Sequence, residues 1–322
     1  MEIHSDYPIN EIVIKDIEAI LNDYNLIVSK RIKIKNDNEN LTKEFLTDST
    51  HKKCRFCNNS YPKVKFEKEA HAIPNFMGND KLFTKYECDS CNEYFGRFEN
   101  EMANFMLPNN TISGTKGKNG IPKYNQKGQP IIEIQKEKVL INDVPNSFFD
   151  NLNELELKIK LPTYIPDYIY RCLIKIGLSI IPESKLSEYR ETINWLMDKK
   201  IDSNSKPQMI FSMYSFNLQM DEIVCSILER KENCSKQLVN SILFISYKNF
   251  AFQTYIPYNS KEKLNIELYP FQYVIPTTLD LNREIERTFH LIDLSSKEKK
   301  INDFITYNIN HDGEIIVEKT KC

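Results

Sequence analysis

Two pairs of cysteines, each pair separated by two residues, are the strongest chemical signal in this sequence. They are Cys54 with Cys57 and Cys88 with Cys91. Two intervening residues let both thiolates of a pair point at one ion, and two such pairs complete a tetrahedral sulfur site for zinc. The sequence therefore predicts a structural Zn²⁺ held by these four cysteines. A redox dithiol is the main competing interpretation, but it needs only one such pair, at the start of a helix.

A histidine, His71, lies between the two cysteine pairs. The interval between the pairs is longer than the usual zinc-ribbon spacing of roughly 15–20 residues, which leaves room for a two-stranded excursion. We expect the first strand at 63–66 and the second strand to carry or follow His71. A turn at Gly78, Asn79 and Asp80 comes next. The zinc would hold this excursion at both ends.

A helix is expected directly after the second cysteine pair, over 89–105. Its apolar residues recur at steps of three and four, which places them on one buried face. They are Phe95, Phe98, Met102 and Phe105. The expected local order is therefore strand, strand and helix, joined by zinc.

This combination resembles the HNH endonucleases, or ββα-metal nucleases, in their four-cysteine form. The matching pieces are Cys54-Arg-Phe-Cys57, His71-Ala-Ile-Pro74 with Gly78, and Cys88-Asp-Ser-Cys91-Asn92 with Phe95-Gly96. The resemblance implies that His71 is the general base and that Asn92 is a ligand or orienter of a catalytic metal. It also implies that the four cysteines are only structural.

The implied reaction is hydrolysis of a DNA phosphodiester bond, with RNA left open as a substrate. A divalent cation, Mg²⁺ or Mn²⁺, would stabilise the charge that builds on the phosphate. An imidazole with a pKa near neutral pH can deprotonate the attacking water. Zinc-bound thiolates suit magnesium poorly, because magnesium prefers oxygen ligands. We therefore expect two metals with separate roles.

Two departures from the family pattern bear on the catalytic metal. Many family members have an acidic residue directly before the histidine, where this sequence has Ala70. Glu69 would share a strand face with His71, and Glu99 would share a helix face with Asn92, so either glutamate could serve as the ligand. The nearest candidate for the middle asparagine of the family name is Asn79. These departures motivate an alternative, a non-catalytic zinc module that binds nucleic acid or protein.

A segment rich in Gly, Asn and Lys follows the motif helix at 109–130. Its lysines, including Lys116, Lys118 and Lys123, would contact phosphates beside the active site. Arg97, on the motif helix, is a further candidate for a phosphate contact. The alternative interpretation is an ordinary solvated linker, since Gly and Asn also mark turns.

Length and charge set the remaining limits. A chain of 322 residues exceeds the usual size of one domain, and its net charge of −2 does not by itself indicate a nucleic-acid partner. The predicted fold is α+β, a small zinc-containing ββα nuclease module followed by a larger mixed domain with antiparallel strands. We divide the chain into a helix–strand leader at 1–50, the zinc module at 51–108, the basic loop at 109–130, and a carboxy-terminal α+β domain at 131–322. For that last domain we expect a role in regulation, in targeting, or in assembly with a partner or into a homo-oligomer.

The predicted elements outside the zinc module follow from hydrophobic periodicity and turn residues. The leader should contain a helix at 10–23 and a strand at 26–34. Later strands are expected at 131–141 and 155–161, and helices from Pro166 to Pro182 and at 185–199. An antiparallel set should comprise 209–214, 223–228, 241–247 and 250–255. A closing hairpin should pair 304–309 with 314–318 through Asp312-Gly313, because Asp-Gly is a strong turn signal.

The sequence also bears on location. No basic segment followed by an apolar run begins the sequence, so we expect no signal peptide. The most apolar run, 172–181, is interrupted by Lys175 and is too short to cross a bilayer. We therefore expect a cytoplasmic protein with no membrane partner. A nuclease module joined to a large unassigned domain is similar in layout to bacterial antiphage effectors, which suggests a role in antiviral defence by analogy alone.

Overall fold

The computed structural model describes residues 11–34, 42–46, 52–135, 138–144, 155–198, 207–235, 237–261, 271–281, 285, 287–309 and 316–318. The fold is α+β, as predicted. The helices are α1 (Glu11–Asp23), α2 (Asp89–Ile112), α3 (Pro166–Ile180) and α4 (Arg190–Leu196). The strands are β1 (Tyr24–Lys33), β2 (Glu44–Leu46), β3 (Ala70–His71), β4 (Leu82–Thr84), β5 (Ile131–Gln135), β6 (Lys138–Asn142), β7 (Leu155–Lys160), β8 (Gln208–Tyr214), β9 (Met220–Arg230), β10 (Ser241–Lys248), β11 (Phe250–Tyr255), β12 (Arg287–Asp293), β13 (Phe304–Ile309) and β14 (Ile316–Glu318).

A six-stranded antiparallel sheet forms the largest layer, in the order β1-β9-β10-β11-β8-β12. The antiparallel set predicted between 209 and 255 is confirmed as β8 to β11. Lys248, with a φ of 51°, lies at the turn between β10 and β11. Strand β1 pairs with β9 from Tyr24 opposite Arg230 to Lys33 opposite Glu222. Strand β1 of the leader is therefore part of the carboxy-terminal sheet.

Helix α3 is buried along nearly its whole length and contacts α2 as well as β9 and β10. It begins at Pro166, whose fixed φ suits the first helical turn, and it ends before Pro182. At Gly177 the helix approaches the sheet so closely that an added Cβ would lie 3.3 Å from Leu243 Cδ1. The helix predicted from Pro166 is therefore confirmed, and it lies at the centre of the molecule.

One hydrophobic core joins the zinc module to the carboxy-terminal sheet. It contains Phe95 and Phe98 of α2, Leu173 of α3, and Ile245 and Phe252 of the sheet. The division into 51–108 and 131–322 remains a prediction about sequence regions. Within the described residues, the two regions bury their apolar side chains against each other.

The predicted closing hairpin is wrong. Strand β13 pairs antiparallel with β7, from Phe304 opposite Lys160 to Ile309 opposite Leu155. Strand β14 pairs parallel with β6 instead of with β13. The turn predicted at Asp312-Gly313 lies outside the described residues. The local turn signal gave no information on these pairings, because both partners are distant in the chain.

Three other elements differ in extent from the prediction. The strand expected at 131–141 is a hairpin of β5 and β6. The helix expected at 185–199 is a 3₁₀ segment, Glu183–Tyr189, followed by α4. Helix α2 continues past residue 105 and through Pro108 to Ile112, so the first residues of the predicted basic loop are helical. Among the described residues, no helix combines the length and the apolar character needed to cross a membrane.

Candidate active site

His71 lies on the short strand β3, which pairs antiparallel with β4 and faces Phe83 across the ladder. Strand β2 pairs parallel with β4 on its other side, which gives a three-stranded sheet. The first strand predicted at 63–66 is wrong: these residues belong to no strand, and the backbone oxygen of Lys65 accepts from the backbone N–H of Asp89, the first residue of α2, at 2.9 Å. The backbone N–H groups of Glu67 and Lys68 donate to the Asp89 carboxylate, at 3.0 and 2.9 Å. The strand that carries His71 is therefore the first strand of the ββα unit.

The four paired cysteines converge as predicted. Their Sγ atoms all lie within 4.8 Å of one another, and Cys57 Sγ is 3.8 Å from Cys88 Sγ. A tetrahedral zinc with Zn–S bonds of about 2.3 Å would separate its sulfur ligands by about 3.8 Å. Cys88 is the N-cap residue of α2 and Cys91 lies in the first turn of that helix. The donor set and its spacing therefore fit a structural zinc.

Asn79 fixes the loop between β3 and β4. Its side chain is buried, and its Nδ2 donates to the backbone oxygens of Ile73 and Leu82, at 2.6 and 2.9 Å. Its Oδ1 accepts from the backbone N–H groups of Lys81 and Leu82, at 3.1 and 2.8 Å. This residue, the nearest sequence candidate for the middle asparagine, therefore holds together the segment that follows His71.

Replacing Asn79 with alanine is expected to lower the free energy of unfolding by about 3 kcal/mol, because buried donors and acceptors lose their partners. Asn75→Ala is the matched control, since the half-buried Asn75 donates one bond, to the Asn79 backbone oxygen at 2.9 Å, and its loss should cost about 1 kcal/mol. Urea unfolding of both variants measures the difference. Equal stabilities would show that Asn79 does not fix the loop.

The His71 side chain is half-buried, and its ring centroid lies 4.5 Å from that of Phe83. Burial lowers the pKa of His71 from its usual value near 6.5, and the positive charge of Lys175 acts in the same direction. The negative charge of Glu99 opposes this shift. His71 is therefore uncharged at neutral pH, which is the form that can accept a proton.

Glu69 is two residues from His71 in the chain, and the negative charge of Glu99 acts on His71. Both of these candidate ligands of the catalytic metal are, however, paired with lysines. Glu69 Oε2 lies 2.6 Å from Lys43 Nζ, and Glu99 Oε1 lies 3.3 Å from Lys175 Nζ. Asn92 is half-buried on α2. Among the described His, Cys, Asp and Glu residues, the four cysteines are the one group placed to share an ion. The metal roles of Glu69, Asn92 and Glu99 stay predictions.

A buried charge cluster lies behind His71, and sequence reasoning missed it. Lys175 Nζ donates to the His71 backbone oxygen at 2.8 Å and lies 3.4 Å from Glu87 Oε2. Burial raises the pKa of Glu87 to about 7, although the charge of Lys175 opposes the rise. Burial also disfavours a charged Lys175, but Glu87 and Glu99 outweigh it and raise the Lys175 pKa. The sequence contains one signal of this cluster, because Lys175 interrupts an apolar helix. A lysine in such a position is rarely buried unless it is paired with an opposite charge.

The zinc module also binds the carboxyl end of α3. Arg55, between the first two cysteines, donates from Nη1 to the backbone oxygens of Leu178 and Ile181, at 2.8 Å each. Its guanidinium lies 3.8 Å from the ring centroid of Tyr86, whose hydroxyl donates to the Ser179 backbone oxygen. A cation at a helix carboxyl end is favourable, because the last carbonyls are unpaired and partly negative. The two cysteine pairs are therefore anchored to α3 by adjacent residues.

The predicted phosphate-contacting residues differ in their surroundings. Arg97 Nη2 lies 2.7 Å from Asp198 Oδ2, and its guanidinium stacks on Tyr94. Lys123 Nζ lies 2.9 Å from Glu133 Oε2, while Lys118 is exposed. The fourth candidate, Lys116, is half-buried. Their contacts with nucleic acid stay predictions.

A protein-family model matches part of the chain. The model described as HNH endonuclease matches residues 54–107. Comparison with curated proteins and with solved structures gives no match. The match includes the two cysteine pairs, His71, β4 and most of α2. Residues 54–107 are thus an HNH endonuclease domain, and its four cysteines are placed to hold a metal ion.

Proposed function

We propose that this protein is a metal-dependent endonuclease that hydrolyses DNA phosphodiester bonds with His71 as the general base. The observation that carries the proposal is the environment of the His71 side chain, which lies within the residues matched by the HNH endonuclease model. Its ring is half-buried against Phe83, and burial keeps its pKa low, so that it is ready to accept a proton. A base at that place can deprotonate a water molecule that attacks the phosphate.

Two metals are proposed, with different ligands. Zn²⁺ bound by Cys54, Cys57, Cys88 and Cys91 would be structural, because thiolate ligands leave no open position. For Mg²⁺ or Mn²⁺ we propose the amide oxygen of Asn92 with a carboxylate of Glu69 or Glu99, since these ions prefer oxygen ligands. The divalent ion would supply charge stabilisation at the phosphate. The chain itself supplies the proton acceptor, and Phe83 orients that ring.

The basic loop is proposed to bind the DNA backbone next to the active site. It packs against the segment that follows β3, because Asn110 Nδ2 donates to the Phe76 backbone oxygen at 3.0 Å. A Cβ added to Gly117 would lie 3.7 Å from Phe76 Cα, so the loop also approaches this segment at its turn. The exposed Lys118 is carried on that turn. We propose that Lys116, Lys118 and Lys123 contact phosphates there, and that Arg97 contributes from α2.

Replacing Lys116, Lys118 and Lys123 together with alanine is expected to weaken DNA binding and reduce its salt dependence. Each lost phosphate contact should lower the slope of log K against log salt by about 0.9. Lys123 should contribute least, because Glu133 already neutralises it. Fluorescence anisotropy across a salt series measures the slope. The exposed lysines Lys15, Lys297 and Lys299 provide a matched triple control, and an equal slope in both triple variants would make the loop a plain linker.

Plasmid cleavage tests the proposed function directly. Zinc-containing protein with Mg²⁺ or Mn²⁺ is expected to convert supercoiled DNA to nicked and linear forms, and to leave it intact when the added cation is omitted. Parallel reactions with RNA decide the substrate class. If the folded chain cuts neither DNA nor RNA, with activating ligands and partners supplied, the proposed function is wrong.

A non-catalytic zinc module is the second candidate. Ala70 offers no ligand atom beside His71, and the carboxylates of Glu69 and Glu99 are both paired with lysines. Such a module would bind DNA, RNA or a protein and yield no cleavage product. The same plasmid assay, with binding measured in parallel, separates the two candidates.

The carboxy-terminal region is proposed to regulate or target the nuclease, or to assemble it into a homo-oligomer. A role in antiphage defence rests on the similarity of layout alone. The effect of deleting the gene on phage infection tests the role in defence. The mass of the native protein in solution tests assembly into a homo-oligomer.

A further inference from the structure

We infer that Lys175, on α3, is a positioning residue for His71, so that the nuclease site is completed by a helix outside the HNH endonuclease match. The inference rests on the proposed function. It concerns how the general base is held in place, and it assigns a role to a residue that lies well beyond 54–107.

The first support is the contact with the histidine itself. Strand β3 has two residues, so few ladder hydrogen bonds fix it. The backbone N–H of Ala72 donates to the Leu82 oxygen at 3.1 Å, while the His71 oxygen accepts from Lys175 Nζ at 2.8 Å. The peptide group that follows His71 is therefore held from both sides, by β4 and by α3. Loss of the lysine would release one of these two restraints.

The second support is the partner on α2. Lys175 Nζ also lies 3.3 Å from Glu99 Oε1 and donates to it. Glu99 is on the helix that begins at the second cysteine pair and carries Asn92. One ammonium group therefore connects the strand with the general base to the helix with the other candidate site residues. The distance between strand β3 and helix α2 therefore depends on where α3 places Lys175.

The third support is the environment of the ammonium group. Lys175 is fully buried, in a helix whose neighbouring residues are apolar. Burying a charge is unfavourable unless it is paired, and a buried ion pair is often no more stabilising than apolar side chains of the same size. Glu87, itself fully buried, lies 3.4 Å from the ammonium group and Glu99 lies 3.3 Å from it, and together they provide the compensating charge. A buried cluster of this kind is better explained by placement of His71 than by stability alone.

Two variants separate placement from stability. The Lys175→Met variant leaves Glu87 buried without this partner, so the melting temperature of the variant protein is expected to fall. Lys175→Met with Glu87→Met replaces the pair by apolar side chains and is expected to recover much of that temperature and to keep zinc. Its kcat for DNA cleavage should still be at least tenfold below wild type, with KM little changed. Wild-type kcat in the double variant would overturn the inference.

Lys185→Met is the matched control. Lys185 Nζ lies 2.7 Å from Glu229 Oε2, an ion pair formed outside the HNH endonuclease match. This variant is expected to keep wild-type kcat, so a loss equal to that of the double variant would also overturn the inference. Lys175→Gln retains a hydrogen-bond donor and should recover part of the kcat. It also provides a test if the double variant does not fold.

A spectroscopic measurement makes the test independent of cleavage. The chain has five histidines, so a spectrum of protein with ¹³C-labelled imidazole carbons is resolvable, and His71→Ala assigns the His71 signal. In the double variant, or in Lys175→Gln, the His71 signal is expected to shift or broaden, and those of His290 and the other histidines to stay in place. An unchanged His71 signal would overturn the inference even if the protein is active. If the wild type cuts neither DNA nor RNA, the proposed function fails, and this spectrum still decides whether Lys175 positions His71.

Discussion

Replacing His71 with alanine is expected to reduce the rate of DNA cleavage by about 10²–10⁴-fold, the usual contribution of a positioned general base. The chain should remain folded, because the lost side chain is half-buried and its ring makes one aromatic contact, with Phe83. The hydrogen bonds of Asn79 and the cysteine site do not involve the imidazole. Single-turnover cleavage of a labelled duplex measures the loss. Zinc content and melting temperature show whether the fold is kept.

The matched control for this variant is His290→Ala. His290 is exposed on β12, at an edge of the large sheet. We expect its cleavage rate to equal that of the wild type. Retention of full activity in His71→Ala, with His71 absent from the chain, would remove His71 from the mechanism and favour the non-catalytic zinc module.

Replacing Cys88 with serine is expected to remove the zinc and unfold the domain at 54–107. Binding of a structural zinc by four such ligands supplies about 10–16 kcal/mol of folding free energy at neutral pH. Cys88 also begins α2, so its loss disturbs the start of the helix that bears Cys91 and Asn92. Metal analysis of the purified chain and thermal unfolding measure the effect. Removal of zinc from the wild type with a strong chelator should give the same result.

The effect of Cys88→Ser should extend beyond the zinc module. Arg55 and Tyr86, which adjoin the two cysteine pairs, donate hydrogen bonds to the carboxyl end of α3. We therefore expect one broad loss of stability that includes the carboxy-terminal sheet. Cys234→Ser is the control, because this thiol is part-exposed and lies outside the cysteine cluster; it should change stability by less than about 0.5 kcal/mol. A stable, active, zinc-free Cys88→Ser protein would contradict the structural role of the metal.

Local patterns predicted the elements that depend on local physics. The antiparallel strands β8 to β11 are rich in apolar residues, and the short turn between β10 and β11 leaves those two strands little choice of partner. The proline at the start of α3 and the proline after it gave nearly its observed bounds. The cysteine spacing predicted the metal site, because two residues between ligands suffice to fix each pair. For the turn, the ends of α3 and each cysteine pair, the deciding residues are close together in the chain.

The errors come from interactions between distant residues. The Asp-Gly signal after β13 expresses a local preference for a turn, but β13 pairs with β7, and β7 lies far earlier in the chain. The segment 63–66 has strand-forming residues, yet its backbone is held by Asp89 at the start of α2. In the sequence, Lys175 is visible only as an interruption of an apolar run. Its partners His71 and Glu87 are separated from it by about a third of the chain.

The pairing of β1 with β9 has a consequence for synthesis on the ribosome. During synthesis, both cysteine pairs and His71 are made early. Strand β1 cannot join its sheet until β9, which ends at Arg230, has also been made. Long-range pairings of this kind form late, because a large loop must close first. A product truncated before β9 would carry His71 without the sheet beneath α3. On the proposed function, DNA cleavage would therefore begin only after most of the polypeptide has been made. Incomplete translation products would leave the DNA of the cell that makes them intact.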